Sequence, residues 1–64
     1  MKPIYYIEFT GRYISSDGKL SRKQISFSTK DTCTDFKIGN TLIHKGRFFK
    51  IEKVEYTKIE GAYR

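Results

Sequence analysis

Along the first part of the chain, Tyr5, Ile7, Phe9, Gly11 and Tyr13 alternate with Tyr6, Glu8, Thr10 and Arg12. A period of two sorts side chains onto opposite faces of a strand, whereas a helix would scatter both sets around its axis. The odd set predicts an interior row on a strand from about Ile4 to Ile14. Gly11 breaks that row, and a glycine inside a strand marks a bend or bulge of the kind found at a barrel corner. Composition supports strands throughout. The chain has one alanine and two leucines but is rich in Ile, Thr, Tyr and Phe, which suit a pleated surface.

The turn Ser15-Ser16-Asp17-Gly18-Lys19 leads into a second strand from about Leu20 to Thr29. A two-residue loop at Asp17-Gly18 would place Ile25 opposite Thr10 and Phe27 opposite Glu8, mixing the faces. A three-residue loop pairs Ser15 with Lys19 and sets Phe9 against Ile25 and Ile7 against Phe27, so the apolar sets coincide. Gly18 then takes the left-handed position of a type I turn with a G1 bulge. Residues Lys30 to Asn40 form a loop, with one helical turn near Thr34 to Lys37 and with Phe36 and Ile38 folded back onto the core. A short strand from Thr41 to His44, a turn at Lys45-Gly46 and a strand from Arg47 to Tyr56 follow. A fifth strand from Thr57 to Tyr63 closes or edges the sheet.

The fourth strand carries a conflict. Phe49 and Ile51 share one face, while Phe48, Val54 and Tyr56 share the other. A bulge near Glu52-Lys53 resolves it by moving Val54 and Tyr56 onto the face of Phe49, which leaves Phe48 outside. Without a bulge, Phe48, Val54 and Tyr56 form a second apolar stripe that needs a cover. The expected architecture is all-β: about five short antiparallel strands in one domain spanning residues 1–64, curled into a small SH3-like or OB-like barrel or a strongly curved sheet. The stretch from Lys37 to Val54 resembles the hairpin of many small SH3-like barrels, in which a Gly-polar pair opens a strand, a Lys-Gly turn follows and an aromatic leads the return. That resemblance implies a fold pattern and no particular family.

The size narrows the functional classes. A chain of 64 residues is one domain at most and has little surface to bury. One cysteine, Cys33, allows no internal disulfide, and one Cys with one His is no zinc set. Association with a partner or a second copy therefore remains as a stabilising device. A lone cysteine suits a reducing compartment, and no apolar run is long enough for a membrane helix, so the expectation is a cytoplasmic protein without membrane contact.

Catalytic equipment is hard to find. His44 has no acid beside it in sequence and reads as an exposed residue at a hairpin tip. Cys33 lies between Asp31 and Asp35, whose charges disfavour the thiolate a nucleophile needs. The pairs Asp31/Asp35 and Glu52/Glu55 could serve acid–base chemistry only in a cleft, which so small a chain hardly encloses. Turn capping explains the aspartates. Gly18-Lys19 lacks the spacing of a phosphate loop. The expectation is a non-enzymatic module without cofactor or metal.

Binding is what remains. The net charge is +6, which favours polyanions. Lys19, Arg22 and Lys23 cluster on the first hairpin, and Lys45, Arg47, Lys50 and Lys53 on the second. Tyr6, Phe48 and Tyr63 are the aromatics expected at the surface. In the leading reading, Arg12, Arg22, Lys23, Lys45, Arg47, Lys50 and Lys53 neutralise phosphates while Phe48 and Tyr6 stack on bases of single-stranded nucleic acid. In the alternative, Phe48 anchors a protein–protein contact, either in a self-associating subunit or in an inhibitor or adaptor that docks on the acidic surface of a larger protein.

Overall fold

The computed structural model describes residues 1–64. Strand β1 runs from Pro3 to Ile14, β2 from Ile25 to Asp31, β3 from Thr41 to His44 and β4 from Arg47 to Tyr63. All pairings are antiparallel, in the order β2-β1-β4-β3. The fold is all-β, and the sheet curls into a half-barrel. The expected fifth strand is the C-terminal part of β4, which spans 17 residues and whose register against β1 shifts between the pairs Tyr5–Lys58 and Pro3–Tyr63. No helix is long and apolar enough to cross a membrane.

The odd side chains of β1 point into the curl. Ile7 and Phe9 are fully buried there with Phe49 and Ile51, and Tyr5, Tyr13, Phe27, Leu42, Val54 and Tyr56 pack around them. The expected bulge is present. Thr10 pairs with Lys53 and Gly11 with Ile51, so Glu52 is the extra residue. The parity of β4 switches there, which puts Val54 and Tyr56 on the face of Phe49 and leaves Phe48 outside. Gly11 sits opposite the bulge, where a Cβ would run into the Lys50 carbonyl oxygen and lie 2.9 Å from Phe49 Cζ. The bend that curls the sheet thus depends on a residue without a side chain.

The first turn follows the expected three-residue loop. Ser15 N donates to Lys19 O, Gly18 N donates to Ser15 O, and Gly18 has φ +83°. Ile14 bridges Leu20, in the same register. The register further on is two residues away from expectation: Phe9 faces Phe27, and Gly11 faces Ile25. The extra length loops out at Arg22-Lys23, between Ser21, whose N–H donates to Tyr13 O, and Ile25. A shift of two keeps every side chain on its face, so the face assignment held while the partners changed.

The segment from Thr32 to Asn40 crosses from the end of β2 to the start of β3. It contains no helical turn at Thr34–Lys37; the chain turns instead at Ile38-Gly39, where Asn40 N donates to Lys37 O. The Asp31 carboxylate accepts from the backbone N–H of Thr32 and Cys33 and so fixes the start of the segment. Phe36 folds onto the core, edge-on to Phe9 at 4.9 Å, and its carbonyl accepts from Tyr56 Oη at 2.8 Å. Ile38 stays exposed, contrary to expectation.

Candidate binding surface

The register of the four strands fixes which side chains share the convex face. Ile14 pairs with Leu20 on one side and Phe48 on the other, and Phe48 pairs with Ile43. These four form one cross-strand row, with directly opposed side chains about 5 Å apart at Cβ. The row is open to solvent: Phe48 is 58% exposed, Ile43 69% and Leu20 41%, and Ile14 is half-buried. Sequence reasoning identified Phe48 but missed Leu20, Ile14 and Ile43 as its companions. The two-residue turn at Lys45-Gly46 carried the missing signal, because it pairs Ile43 with Phe48 directly.

The neighbouring row on the same face is Arg12, Lys50 and Thr41. Arg12 and Lys50 face each other as like charges. Glu52, the bulge residue, offsets this. Its Oε1 lies 3.3 Å from Arg12 Nε, out of hydrogen-bond line, so the contact is ionic. The same oxygen accepts from Gln24 Nε2 at 3.1 Å. Lys53 lies a row further along and pairs with Glu55 at 2.9 Å. That partner holds the Lys53 ammonium above its ordinary pKa.

Five further cations, Lys19, Arg22, Lys23, Lys45 and Arg47, lie at the same end of the molecule, whereas Lys2, Lys30, Lys58 and Arg64 lie toward the other. Lys19 and Lys45 lie at the two hairpin turns, and Arg22 and Lys23 in the looped-out step before β2. Arg47 belongs to the concave side, where its guanidinium lies 4.1 Å from the centre of the Tyr13 ring. Asp17 sits among these cations at the first turn. Its carboxylate accepts from the Ser15 hydroxyl and from Lys19 N, and these bonds hold it below its ordinary pKa. The structure therefore brings Arg12, Arg22, Lys23, Lys45, Arg47, Phe48 and Lys50 to one end. It separates Tyr6, which pairs with Thr57 near the other end and donates to Ser28 Oγ. Lys53 is tied to its own carboxylate.

His44 is not the exposed tip residue that the sequence suggested. It shares the concave parity of Leu42, and its ring stacks on Phe27 with centroids 3.7 Å apart and planes 2° apart. Tyr13 lies beyond it, nearly parallel, at 6.3 Å. The curl of the sheet brings side chains of β2 and β3 together there across the gap between the two strands, which local pattern could not show. Cys33 is half-buried in the crossing segment, with its thiol 3.9 Å from Asp35 Oδ2.

The arrangement suits recognition. An apolar ridge spans the sheet at the hairpin end, with cations beside it and around the turns. No protein family, curated protein or solved structure matches this chain.

Proposed function

We propose that the protein is a non-catalytic docking module that grips an acidic protein surface through the row Leu20, Ile14, Phe48 and Ile43. The observation that carries this reading is the row itself, an aromatic flanked by aliphatics and left open to water across the sheet. Contiguous exposed apolar patches of this kind mark interaction sites, and a central aromatic is the usual anchor. Arg12, Lys50, Lys45 and Lys19 form its rim and select for acidic partners. They also oppose self-docking, since two copies face to face would set Arg12 and Lys50 against their own kind.

The test is site-specific cross-linking. A photoreactive benzoylphenylalanine in place of Phe48 or Ile43 is expected to capture one acidic protein in the cell that makes the chain. The same group at Tyr6 or Tyr63 is expected to capture none. Cross-links equal at all four positions, or absent at Phe48, would sink the proposal.

The gathering of Lys19, Arg22, Lys23, Lys45, Arg47 and Lys50 at one end favours a second reading, single-stranded nucleic acid stacked on Phe48. Binding of an oligothymidylate would then weaken with salt with a log–log slope of about −0.7 per phosphate contacted. Phe48→Ala would weaken it by about 1–3 kcal/mol, and duplex binding by less.

A further inference from the structure

The half-barrel has an open seam. β2 and β3 end the strand order, and no backbone hydrogen bond joins them. Their edges face one another across a cavity of about 300 Å³ lined by Phe9, Phe27, Phe36 and Leu42, with Ser28, Thr29, Ile43 and His44 around it. The stack of His44 on Phe27 closes one end. The crossing segment, through Phe36, floors the other.

The edges of this sheet are guarded unequally. β3 is only four residues long. The outer edge of β4 carries Lys53, Glu55, Lys58 and Glu60, and such charges prevent strand pairing. β2 carries charge only at its last two residues, Lys30 and Asp31. Its run Ile25-Ser26-Phe27-Ser28-Thr29 contains no charge, proline or bulge. Half of its N–H and C=O groups point away from β1, toward the seam. An unguarded edge beside an apolar cavity is the geometry of strand addition, in which backbone bonds supply affinity and one inward side chain supplies selectivity.

We propose that the seam accepts a single extended segment of a partner protein, pairing with β2, placing one large apolar side chain in the cavity and bearing acidic residues where it passes Lys45 and Arg47. A second copy of this chain does not fit. Pairing through β2 would have to continue into that copy's four-stranded sheet, and β3, held close by the His44–Phe27 stack, occupies the space. The acidic preference follows from charge. Lys45 and Arg47 stand at the His44 end of the seam, where no acid of the seam accompanies them; at the other end Lys30 and Lys37 are balanced by Asp31, which is engaged with the N–H groups of Thr32 and Cys33, and by Asp35. This site touches the convex row at Ile43 and its rim at Lys45, but its cavity and its pairing edge lie on β2 and the concave side, so it does not depend on Phe48, Ile14 or Leu20.

The probe is the synthetic peptide acetyl-EDVFVED-amide, titrated into the isotope-labelled protein. The expected result is a shift of the amide signals of Ser26 to Thr29 and Leu42 to His44, with slower hydrogen exchange on β2. Thr29→Trp, at an exposed position on the cavity rim, is expected to abolish the shifts by filling the space. Methylating alternate peptide nitrogens, or replacing the four acids by lysine, is expected to weaken binding by about tenfold or more. Full affinity of the methylated peptide would overturn the proposal, as would full affinity of the lysine peptide. Shifts confined to Ile14 and Phe48, or no shift at all, would overturn it too.

Discussion

At the scale of single residues, Gly11 has the narrowest tolerance. The bulge at Glu52 brings the β4 backbone against it, and no side chain fits between. Replacing it by alanine must open the β1–β4 pairing at the corner that curls the sheet. Gly11→Ala is expected to lower stability by about 3 kcal/mol or more, an effect of the overpacking kind, read as the shift of the urea midpoint. An unchanged midpoint would show that the corner yields more freely than the contacts imply. The role of this glycine was legible in sequence, because it interrupts an apolar row whose spacing is otherwise regular. The place of His44 was not legible. Its stacking partner, Phe27, sits on a strand that meets β3 only after the whole sheet has curled, and no local pattern encodes that meeting.

At the scale of elements, parity told more than pairing. The switch between Phe49-Ile51 and Val54-Tyr56 located the bulge, since two apolar sets on one strand can share a core only through an extra residue. The register of β2 was less accessible. The loop at Ser16 to Gly18 was legible from its glycine, but the step at Arg22-Lys23 adds two residues and so leaves the faces unchanged. An apolar alternation cannot detect a shift of two. The second hairpin has a local flaw. Its turn places both Lys45 and Gly46 at positive φ, 54° and 74°. That pattern is a type I′ turn, in which asparagine is favoured at the first position and lysine is strained. Lys45→Asn is expected to stabilise the protein by about 0.5–1 kcal/mol, measured by urea unfolding, while removing one rim cation. A gain in stability with weaker partner binding would separate the two roles of that residue.

At the scale of the whole molecule, the chain is elongated, with extents of 42 × 18 × 16 Å and a radius of gyration of 12.9 Å, against about 10.7 Å for a compact domain of this length. Four apolar side chains, Ile7, Phe9, Phe49 and Ile51, are fully buried, so contacts that tie distant parts together matter disproportionately. The Tyr56 hydroxyl, bound to the Phe36 carbonyl, is one of them. Burial raises the Tyr56 pKa above its ordinary 10.0. A raised pKa means that the contribution is complete below about pH 10 and is lost as pH climbs through the interval up to the folded value. Tyr56→Phe is expected to cost about 1 kcal/mol at neutral pH through the lost hydrogen bond. The variant should also lose less stability than the parent between about pH 9 and about pH 11, followed by urea unfolding across that range. Equal alkaline loss in both proteins would assign the effect elsewhere, with the Lys53–Glu55 pair the next candidate. One more consequence follows from the pairing of Lys2 with Arg64, whose N–H and C=O groups bond reciprocally. The two termini lie side by side at the tip remote from the hairpins. A tether on either one presents the ridge outward, and a pull on both parts the β1–β4 ladder rung by rung from that tip, so the grip at the hairpins is the last thing such a load would reach.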